Sequence, residues 1–274
     1  QKNGNWNEHE QERSHNPSDR INVTTFRIFL HWKTHHDVFF LYRYPEQSET
    51  HRDRKKDFQK TVVFMCDVQE CFRPSIDAFD GVVRSSKILI ESAKIFNWPV
   101  FATEQVPSKL GRTAEEVLQC MREMHPENEE KVIKEKFPIA KSDFGMLRAI
   151  LMGKDGDLNV QPNSLCGKES LAKMMYDADE IRVLLLGVEA HVCVYQTVKQ
   201  IMEHNEKAGR NILKPFVLCD GVQSQRGVDR EVALEKMKEL GATMTTTEMF
   251  LFEEMGGAEH ENFRDVAKTV RKYK

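Results

Sequence analysis

Three side chains of the kinds used in covalent catalysis lie near the ends of predicted strands. Asp67 ends the apolar run TVVFMCD, Lys141 lies in the loop KFPIAKSDFGM, and Cys193 follows LLLGVEAHV where a helix is predicted to begin. A thiol becomes a strong nucleophile as thiolate, and a helix N-terminus or a nearby cation lowers its pKa. We therefore predict that Cys193 attacks an acyl group, that Asp67 moves its proton and that Lys141 stabilises the charged site.

The turn before Cys193 has a predicted role of its own. An acyl group attacked by sulfur needs hydrogen-bond donors for its developing oxyanion, and we predict that backbone N–H groups in the turn around Glu189 to Cys193 supply them. Structural interpretations remain open: Cys193 could be a core thiol, Asp67 could bind loop amides, and Lys141 could be a solvated loop lysine. His191 is interpreted as a locally packed helix-start residue rather than a general base.

Apolar runs alternate with amphipathic segments along the chain, as is typical of a parallel sheet covered by helices on both faces. The pattern predicts an α/β fold with three α/β/α layers and a doubly wound, mainly parallel, six-stranded, Rossmann-like sheet. Ligands bind beyond the carboxyl ends of such strands, so Asp67 and Cys193 meet at one crevice if the strand order reverses beside the first strand. The predicted strands cover residues 61–67, 98–104, 131–136, 180–188, 212–221 and 241–248.

The character of the chain changes near residue 60. Residues 1–59 are polar or irregular, and we interpret them as an N-terminal extension that is partly disordered or peripheral. His35 and His36 lie there, but they have no spaced partner that would indicate a metal site. Residues 60–274 contain no repeat or long linker, which predicts one domain.

The composition argues against several classes of partner. The 274 residues carry a formal net charge of −3, with a pI of about 6.4, so neither nucleic acid nor a membrane is expected as a partner. The six cysteines form no CxxC pair and no Cys/His cluster with zinc-ligand spacing. This usage predicts reduced thiols, no metal and no cofactor. We expect a small-molecule substrate and a cytoplasmic protein, with mitochondrion or peroxisome as alternatives.

Five segments carry a family pattern: VVFMCDVQECF, ATEQVPSKLGRT, KSDFGM, LLGVEAHVCVYQT and CDGVQSQRGVDREVALEKMKELGATMTTTEMFLFE. Together they resemble the isochorismatase-like cysteine hydrolase superfamily, and within it the isochorismatase domain-containing proteins. The resemblance covers roughly residues 60–265 and identifies this part as an isochorismatase-like hydrolase domain.

The resemblance implies specific roles. Asp67, Lys141 and Cys193 would form an Asp-Lys-Cys triad that works through a thioester intermediate. A non-proline cis peptide bond is expected at Val188–Glu189, and a homo-oligomer is expected from the fold. The residues expected to line the substrate pocket are Gln69, Phe72, Glu104, Gln105 and Val188.

The chain also departs from the family pattern. Gly145 stands four residues after the lysine, where members often carry serine, and residues 152–170 form a longer stretch than usual. The segment TEQVPSKLGRT has no histidine, so the metal group of the nicotinamidase branch is not expected.

Three functions follow from these patterns. The leading one is hydrolysis of a small amide, imide or related C–N acyl substrate by the triad. The second is a hydrolase fold with little or no turnover that serves as a binding or assembly component, as the N-terminal extension and the altered KSDFGM segment suggest. The third is a vinyl-ether hydrolase in which Asp67 acts as an acid without covalent catalysis, so that a Cys193→Ala variant stays active.

Overall fold

Six parallel strands form one sheet. The computed structural model describes residues 59–123, 137–152, 164–165 and 170–274, all of which lie in one compact unit. Within these ranges the order across the sheet is β3-β2-β1-β4-β5-β6, which is the doubly wound order of a Rossmann-like fold. The strands are β1 (Gln59–Cys66), β2 (Val100–Gln105), β3 (Ile139–Lys141), β4 (Glu180–Val188), β5 (Leu213–Gln223) and β6 (Thr243–Thr245).

Helices connect the strands. Among the described residues, no helix combines the length and the apolar character that crossing a bilayer requires. A 3₁₀-helix spans Glu70–Ser75, and a π-helical turn spans Ala190–Val194. The α-helices are α1 (Phe79–Phe96), α2 (Pro107–Leu110), α3 (Glu115–Glu123), α4 (Leu147–Leu151), α5 (Leu171–Asp177), α6 (Tyr195–Ala208), α7 (Gly227–Glu239), α8 (Thr247–Met255) and α9 (Phe263–Lys272).

Side chains of each strand alternate between two hydrophobic cores, because successive residues of a strand point to opposite faces. In β4, Leu184 and Leu186 belong to the core that contains residues of α1, α3, α8 and α9. Val183 and Leu185 belong to the core that contains residues of α4, α5, α6 and α7. The sheet is therefore covered on both faces, and the predicted three-layer α/β/α fold is confirmed.

The third strand differs from the prediction. The predicted strand at residues 131–136 lies outside the described residues, and β3 is the three-residue segment Ile139–Lys141. It pairs with β2 in the register Thr103↔Ile139 and Gln105↔Lys141. Lys141 therefore ends a strand and does not lie in a loop, which corrects the prediction. The predicted N-terminal extension also lies outside the described residues, except Gln59, which begins β1.

The first and fourth strands bring the candidate residues to one edge of the sheet. β1 pairs with β2 on one side and with β4 on the other, so the connections diverge on either side of β1. Asp67 directly follows β1, and Cys193 lies in the π-helical turn that follows β4. In a doubly wound sheet, this reversal opens a crevice beyond the carboxyl ends of the strands.

Gly187 permits the close approach of β4 to the end of β1. It pairs with Cys66 and has φ 132°, in a region that other residues rarely adopt. A Cβ atom at this position would lie 2.0 Å from the Cys66 carbonyl oxygen and 2.7 Å from its Cβ atom. Any side chain here would therefore push the two strands apart where the candidate site begins.

We predict that Gly187→Ala destabilises the protein by about 2 kcal/mol or more, because the new methyl group overlaps backbone atoms and the backbone angle is unfavourable. Gly81→Ala is the matched control. Gly81 lies in α1, and a Cβ atom added there would meet no atom within 4 Å, so alanine is expected to stabilise by about 0.5–1 kcal/mol. Urea unfolding of both variants measures the two effects, and equal stabilities would contradict the role given to Gly187.

Candidate active site

Asp67 lies at the centre of the site in a conformation that turns the chain sharply after β1. Its φ is 52°, in the left-handed region, and its side chain is 1% exposed. The Thr103 hydroxyl donates a hydrogen bond of 2.8 Å to its Oδ1 atom. Non-glycine residues in this region are strained and cluster at functional sites, and aspartate tolerates the conformation better than most residues.

Lys141 reaches the other oxygen of this carboxylate from β3. Its Nζ atom lies 2.7 Å from Asp67 Oδ2, and its side chain is also 1% exposed. The same ammonium donates to Gln105 Oε1 at 2.5 Å and to the carbonyl oxygens of Asp143 and Phe144 at 3.1 and 2.8 Å. Lys141 is thus surrounded by acceptors, as a buried cation requires, and the structural interpretation as a solvated loop lysine is wrong.

The pKa of the Lys141 ammonium follows from two opposing effects. Burial alone would lower the pKa, but the neighbouring Cys66, Asp67 and Cys193 side chains outweigh burial and raise it above 10.5. Lys141 therefore carries its charge at neutral pH. A charged lysine stabilises negative charge in its surroundings and does not act as a base.

Cys193 lies in the π-helical turn and is 7% exposed. Its sulfur, the Cys66 sulfur and an Asp67 carboxylate oxygen all lie within 4.8 Å of one another. The Thr197 hydroxyl donates 2.7 Å to the Cys193 carbonyl oxygen, which fixes the turn against α6. The structure thus brings together the three side chains that the sequence separates by up to 126 positions (193 minus 67).

Side chains of α6 tie the segment after Lys141 to the turn that holds Cys193. Thr197 accepts a hydrogen bond of 3.0 Å from the Met146 amide, and Gln200 accepts one of 3.1 Å from the Leu147 amide. A Cβ atom at Gly145 would lie 2.3 Å from Gln200 Oε1. Glycine at this departure from the family pattern therefore leaves space for the Gln200 side chain.

Cys66 is the site residue that sequence reasoning missed, since its place in an apolar strand indicated a core residue. Its side chain is fully buried, but its sulfur lies 3.6 Å from Asp67 Oδ2. Burial raises the pKa of the Cys66 thiol well above its usual value, and hydrogen bonding to Cys193 and the charge of Asp67 add to this. A cysteine directly before the predicted acid at a strand end was the available signal.

Two expected pocket residues brace the site by hydrogen bonds. Gln69 is fully buried and joins the segment after β1 to β2. Its side chain accepts a hydrogen bond of 2.8 Å from the Gln105 amide and donates one of 3.1 Å to the Gln105 carbonyl oxygen. Gln105 contacts Lys141 as described above and donates 2.8 Å to the Ser142 carbonyl oxygen. Gln105 is therefore the expected pocket residue that the structure places in direct contact with the candidate triad.

The other expected pocket residues have different surroundings. Glu104 is buried, and its Oε1 atom accepts hydrogen bonds from Arg112 Nε and from the Thr113 amide and hydroxyl. Phe72 packs against the core that contains α1 and α3, and Val188 is fully buried at the end of β4. That these residues line a substrate pocket stays a prediction.

The turn after β4 differs from the family expectation. In the described residues the cis peptide bond is Phe137–Pro138, so Val188–Glu189 is trans and the expected cis bond is wrong for this chain. Glu189 has φ −38° and ψ 107° and precedes the π-helical turn. This backbone bends the chain into the turn at a trans peptide bond.

Side chains around the same turn form a polar cluster. The Glu189 carboxylate accepts 2.8 Å from Gln225 Nε2 and 3.3 Å from the Gln225 amide. His191 Nδ1 lies 3.3 Å from Glu189 Oε2 and 3.1 Å from the Ser224 hydroxyl. These contacts agree with the interpretation of His191 as a residue that binds locally.

Among the described residues, one group has potential metal-ligand atoms close enough together to bind a single ion: Cys66, Asp67 and Cys193. The Lys141 ammonium lies 2.7 Å from the same carboxylate and supplies a positive charge to the group. A metal ion there would be repelled by this cation at short range. The geometry therefore fits an ion-paired acid better than a metal ligand.

The comparison with protein families decides where the chain belongs. The model of the isochorismatase domain matches residues 61–249, which contain all three candidate residues. The chain belongs to the isochorismatase family. Its relatives include isochorismatase family protein 1B of Dictyostelium discoideum, which is 28% identical over 78% of this chain and 87% of the relative. Isochorismatase domain-containing protein 2A of Mus musculus is 27% identical over 78% and 84%.

Solved structures of the same fold confirm the architecture of this isochorismatase-family chain. MAR1 ribonuclease from Caenorhabditis elegans is 26% identical, covers 79% of this chain and 92% of its own, and superposes with a TM-score of 0.58. The Escherichia coli YcaC gene product, described as an octameric hydrolase of unknown specificity, is 15% identical over 81% and 98%, with a TM-score of 0.51. The second likeness shows the fold alone.

We predict that Asp67→Asn destabilises the protein by about 3–5 kcal/mol, because it leaves the buried Lys141 ammonium without its counter-ion. Adding Lys141→Met removes the unpaired charge and is expected to restore most of the loss. Asp80→Asn is the control: the Asp80 side chain is 85% exposed and pairs with Arg73, so its loss is expected to cost about 1 kcal/mol or less. Chemical unfolding measures all three, and equal effects of the Asp67 and Asp80 changes would contradict the buried pair.

The raised pKa of Lys141 predicts a pH dependence of stability. The ammonium contributes stability that is fully present below the ordinary lysine pKa of 10.5 and is lost as pH rises through the raised pKa. The free energy of unfolding of the wild type should therefore fall relative to that of Asp67→Asn/Lys141→Met above about pH 10.5. Urea unfolding of both proteins from about pH 8 to about pH 11 measures the difference, and a constant difference would argue against a charged pair.

Proposed function

We propose that this isochorismatase-family protein is a cysteine hydrolase of a small amide, imide or related C–N acyl substrate. The observation that carries the proposal is the buried Asp67–Lys141 ion pair of 2.7 Å, with the Cys193 sulfur within 4.8 Å of the carboxylate. An acid, a cation and a thiol at the carboxyl ends of three strands supply what covalent acyl transfer needs.

The first half of the reaction forms a thioester. The Cys193 thiol gives its proton to Asp67, and the resulting thiolate attacks the acyl carbon. The backbone N–H groups of Glu189 and Cys193 stabilise the oxyanion of the tetrahedral intermediate. As the C–N bond breaks, Asp67 returns the proton to the leaving nitrogen, so that acid and base roles alternate on one carboxyl group.

The second half releases the acid product. Water gives a proton to Asp67 and attacks the thioester, and the second tetrahedral intermediate expels the Cys193 thiolate, which takes the proton back from Asp67. Lys141 keeps its charge throughout, because its pKa is raised by its surroundings. It holds the Asp67 carboxylate in place and favours the thiolate through charge attraction.

The rate of reaction with a small electrophile distinguishes an activated thiol from an inert buried one. We predict that iodoacetamide labels Cys193 faster at neutral pH than it labels the exposed Cys71, although Cys193 is only 7% exposed. Partial burial and the charge of Glu70 raise the pKa of the Cys71 thiol, so less of this thiol is present as the reactive thiolate. Peptide mapping by mass spectrometry follows both rates. If Cys193 reacts no faster than it does in the urea-unfolded chain, the proposed activation is wrong.

Turnover on a panel of small amides and imides tests the reaction itself. Cys193→Ala is expected to lower kcat/KM by roughly a thousandfold or more, because the covalent path is lost, whereas the control Cys71→Ala should retain the wild-type value. No turnover by a labelling-competent wild type would favour the binding or assembly function. Full activity of Cys193→Ala on a vinyl ether would favour acid catalysis by Asp67 alone.

The ribonuclease name of one structural neighbour suggests a further comparison. We propose a small-molecule substrate rather than RNA, because the net charge of −3 provides no basic footprint for a polyanion. Cleavage of a labelled single-stranded RNA by the wild type, lost in Cys193→Ala, would contradict this choice.

We also propose that the chain forms a homo-oligomer. The side chains of Val228 and Val232 lie one turn apart on α7 and are 60% and 49% exposed, so they offer an apolar contact. Light scattering of the purified protein measures the assembly, and a monomer at all concentrations would contradict it.

A further inference from the structure

A second thiol lies against the candidate nucleophile. The sulfur atoms of Cys66 and Cys193 and a carboxylate oxygen of Asp67 all lie within 4.8 Å of one another, so the two thiols are direct neighbours of the same acid. Cys66 is not needed for the hydrolysis proposed above, since Asp67 and Lys141 serve Cys193 without it. Its place beside Cys193 therefore calls for a function of its own.

We propose that Cys66 and Cys193 form a redox modification site, in which a peroxide oxidises Cys193 and Cys66 then closes a reversible disulfide with it. The disulfide does not depend on hydrolysis. Its consequence for activity rests on the proposed function, because it would occupy the attacking sulfur.

The geometry places the pair within reach of a covalent bond. A disulfide needs a distance of about 2.05 Å between its sulfur atoms. The Cys66 and Cys193 sulfur atoms are at most 4.8 Å apart, so they need to move closer by less than about 3 Å. Cys66 ends β1, and Cys193 lies in the turn directly after the neighbouring strand β4. Gly187 lets β4 approach Cys66 closely, since a Cβ atom at this position would lie only 2.7 Å from Cys66 Cβ.

Exposure decides which sulfur is oxidised first. Cys193 is 7% exposed and Cys66 is 0% exposed, so a small oxidant from solvent meets Cys193 before Cys66. Burial, the hydrogen bond to Cys193 and the charge of Asp67 also keep the Cys66 thiol protonated, since they raise its pKa. The thiolate is the form that peroxides oxidise. Cys66 is thus protected from direct attack and is available to react with an oxidised Cys193.

Both steps balance with hydrogen peroxide as the oxidant. Cys193 gives its proton to Asp67, and the resulting thiolate attacks one peroxide oxygen. The O–O bond breaks, and the departing hydroxide takes this proton from Asp67 and leaves as water, which gives a sulfenic acid. Cys66 then passes its proton to Asp67, 3.6 Å away, and its sulfur attacks the Cys193 sulfur. The S–O bond breaks, the hydroxide receives the proton from Asp67, and a disulfide and a second water result.

A disulfide between these residues would have two effects. It would remove the nucleophile while the protein is oxidised, and it would protect Cys193 from further oxidation to sulfinic acid, which is not reversed by thiols. A thiol reductant would restore both sulfurs.

Peptide mapping of the full chain after brief treatment with hydrogen peroxide tests the proposal without any activity assay. The expected result for the wild type is a linked Cys66–Cys193 peptide that disappears on treatment with dithiothreitol. In Cys66→Ser, Cys193 should instead accumulate as sulfinic acid, severalfold faster than in the wild type. The control Cys71→Ser removes an exposed thiol and should form the linked peptide as the wild type does.

Three results would overturn the proposal: Cys193 sulfinic acid in the wild type without a linked peptide, a disulfide that joins Cys193 to another cysteine, or no oxidation of Cys193. If Cys66→Ser destabilises the buried strand, Cys66→Ala serves as a second variant. The search for the linked peptide in the wild type does not depend on either variant. Loss of activity on oxidation with recovery on reduction extends the result to hydrolysis. A linked peptide in a protein without turnover would contradict only the proposed function.

Discussion

The buried ion pair of Asp67 and Lys141 is the constraint on which the rest of the site depends. Moving either ion out of water costs several kcal/mol, and only close pairing with additional hydrogen bonds offsets that cost. The pair is 2.7 Å apart, Thr103 donates to the carboxylate, and Gln105 accepts from the ammonium. These four side chains lie directly after β1, in β2 and in β3, so the register of three strands must be correct before the two charges can be buried together.

The ion pair is also consistent with the proton transfer that we propose at this buried site. In the proposed reaction Cys193 gives its proton to Asp67, so that a carboxylate becomes neutral, a thiol becomes a thiolate, and the net charge beside Lys141 does not change. The single ammonium therefore compensates one negative charge before and after the transfer. In a low-dielectric environment, creating an additional uncompensated charge would be far more costly than relocating one.

Much of the fold could be predicted because β1, β4 and β5 are long, largely apolar and separated by helical segments. β3 could not be located, since three residues that contain a lysine carry no apolar periodicity, and pairing with β2 alone defines them as a strand. The proximity of Asp67, Lys141 and Cys193 could be predicted from strand ends and family pattern, and the structure brings these side chains together. The part played by Cys66 depends on which way a strand-end side chain faces, and composition does not reveal that. The cis peptide bond expected at Val188–Glu189 was implied by the resemblance alone, and in the structure this bond is trans.

Backbone conformation and charge together make aspartate the suitable residue at position 67. Its φ of 52° turns the chain away from the strand direction, so that the carboxylate meets a lysine from β3, two strands away in the sheet order. Asparagine and glycine tolerate this backbone angle, but neither carries the charge that Lys141 needs. Glutamate carries the charge, but it tolerates the left-handed region less well and has a longer side chain. Aspartate therefore satisfies both requirements, and the strain it retains is the cost of aiming a short acid at a buried amine and a thiol at the same time.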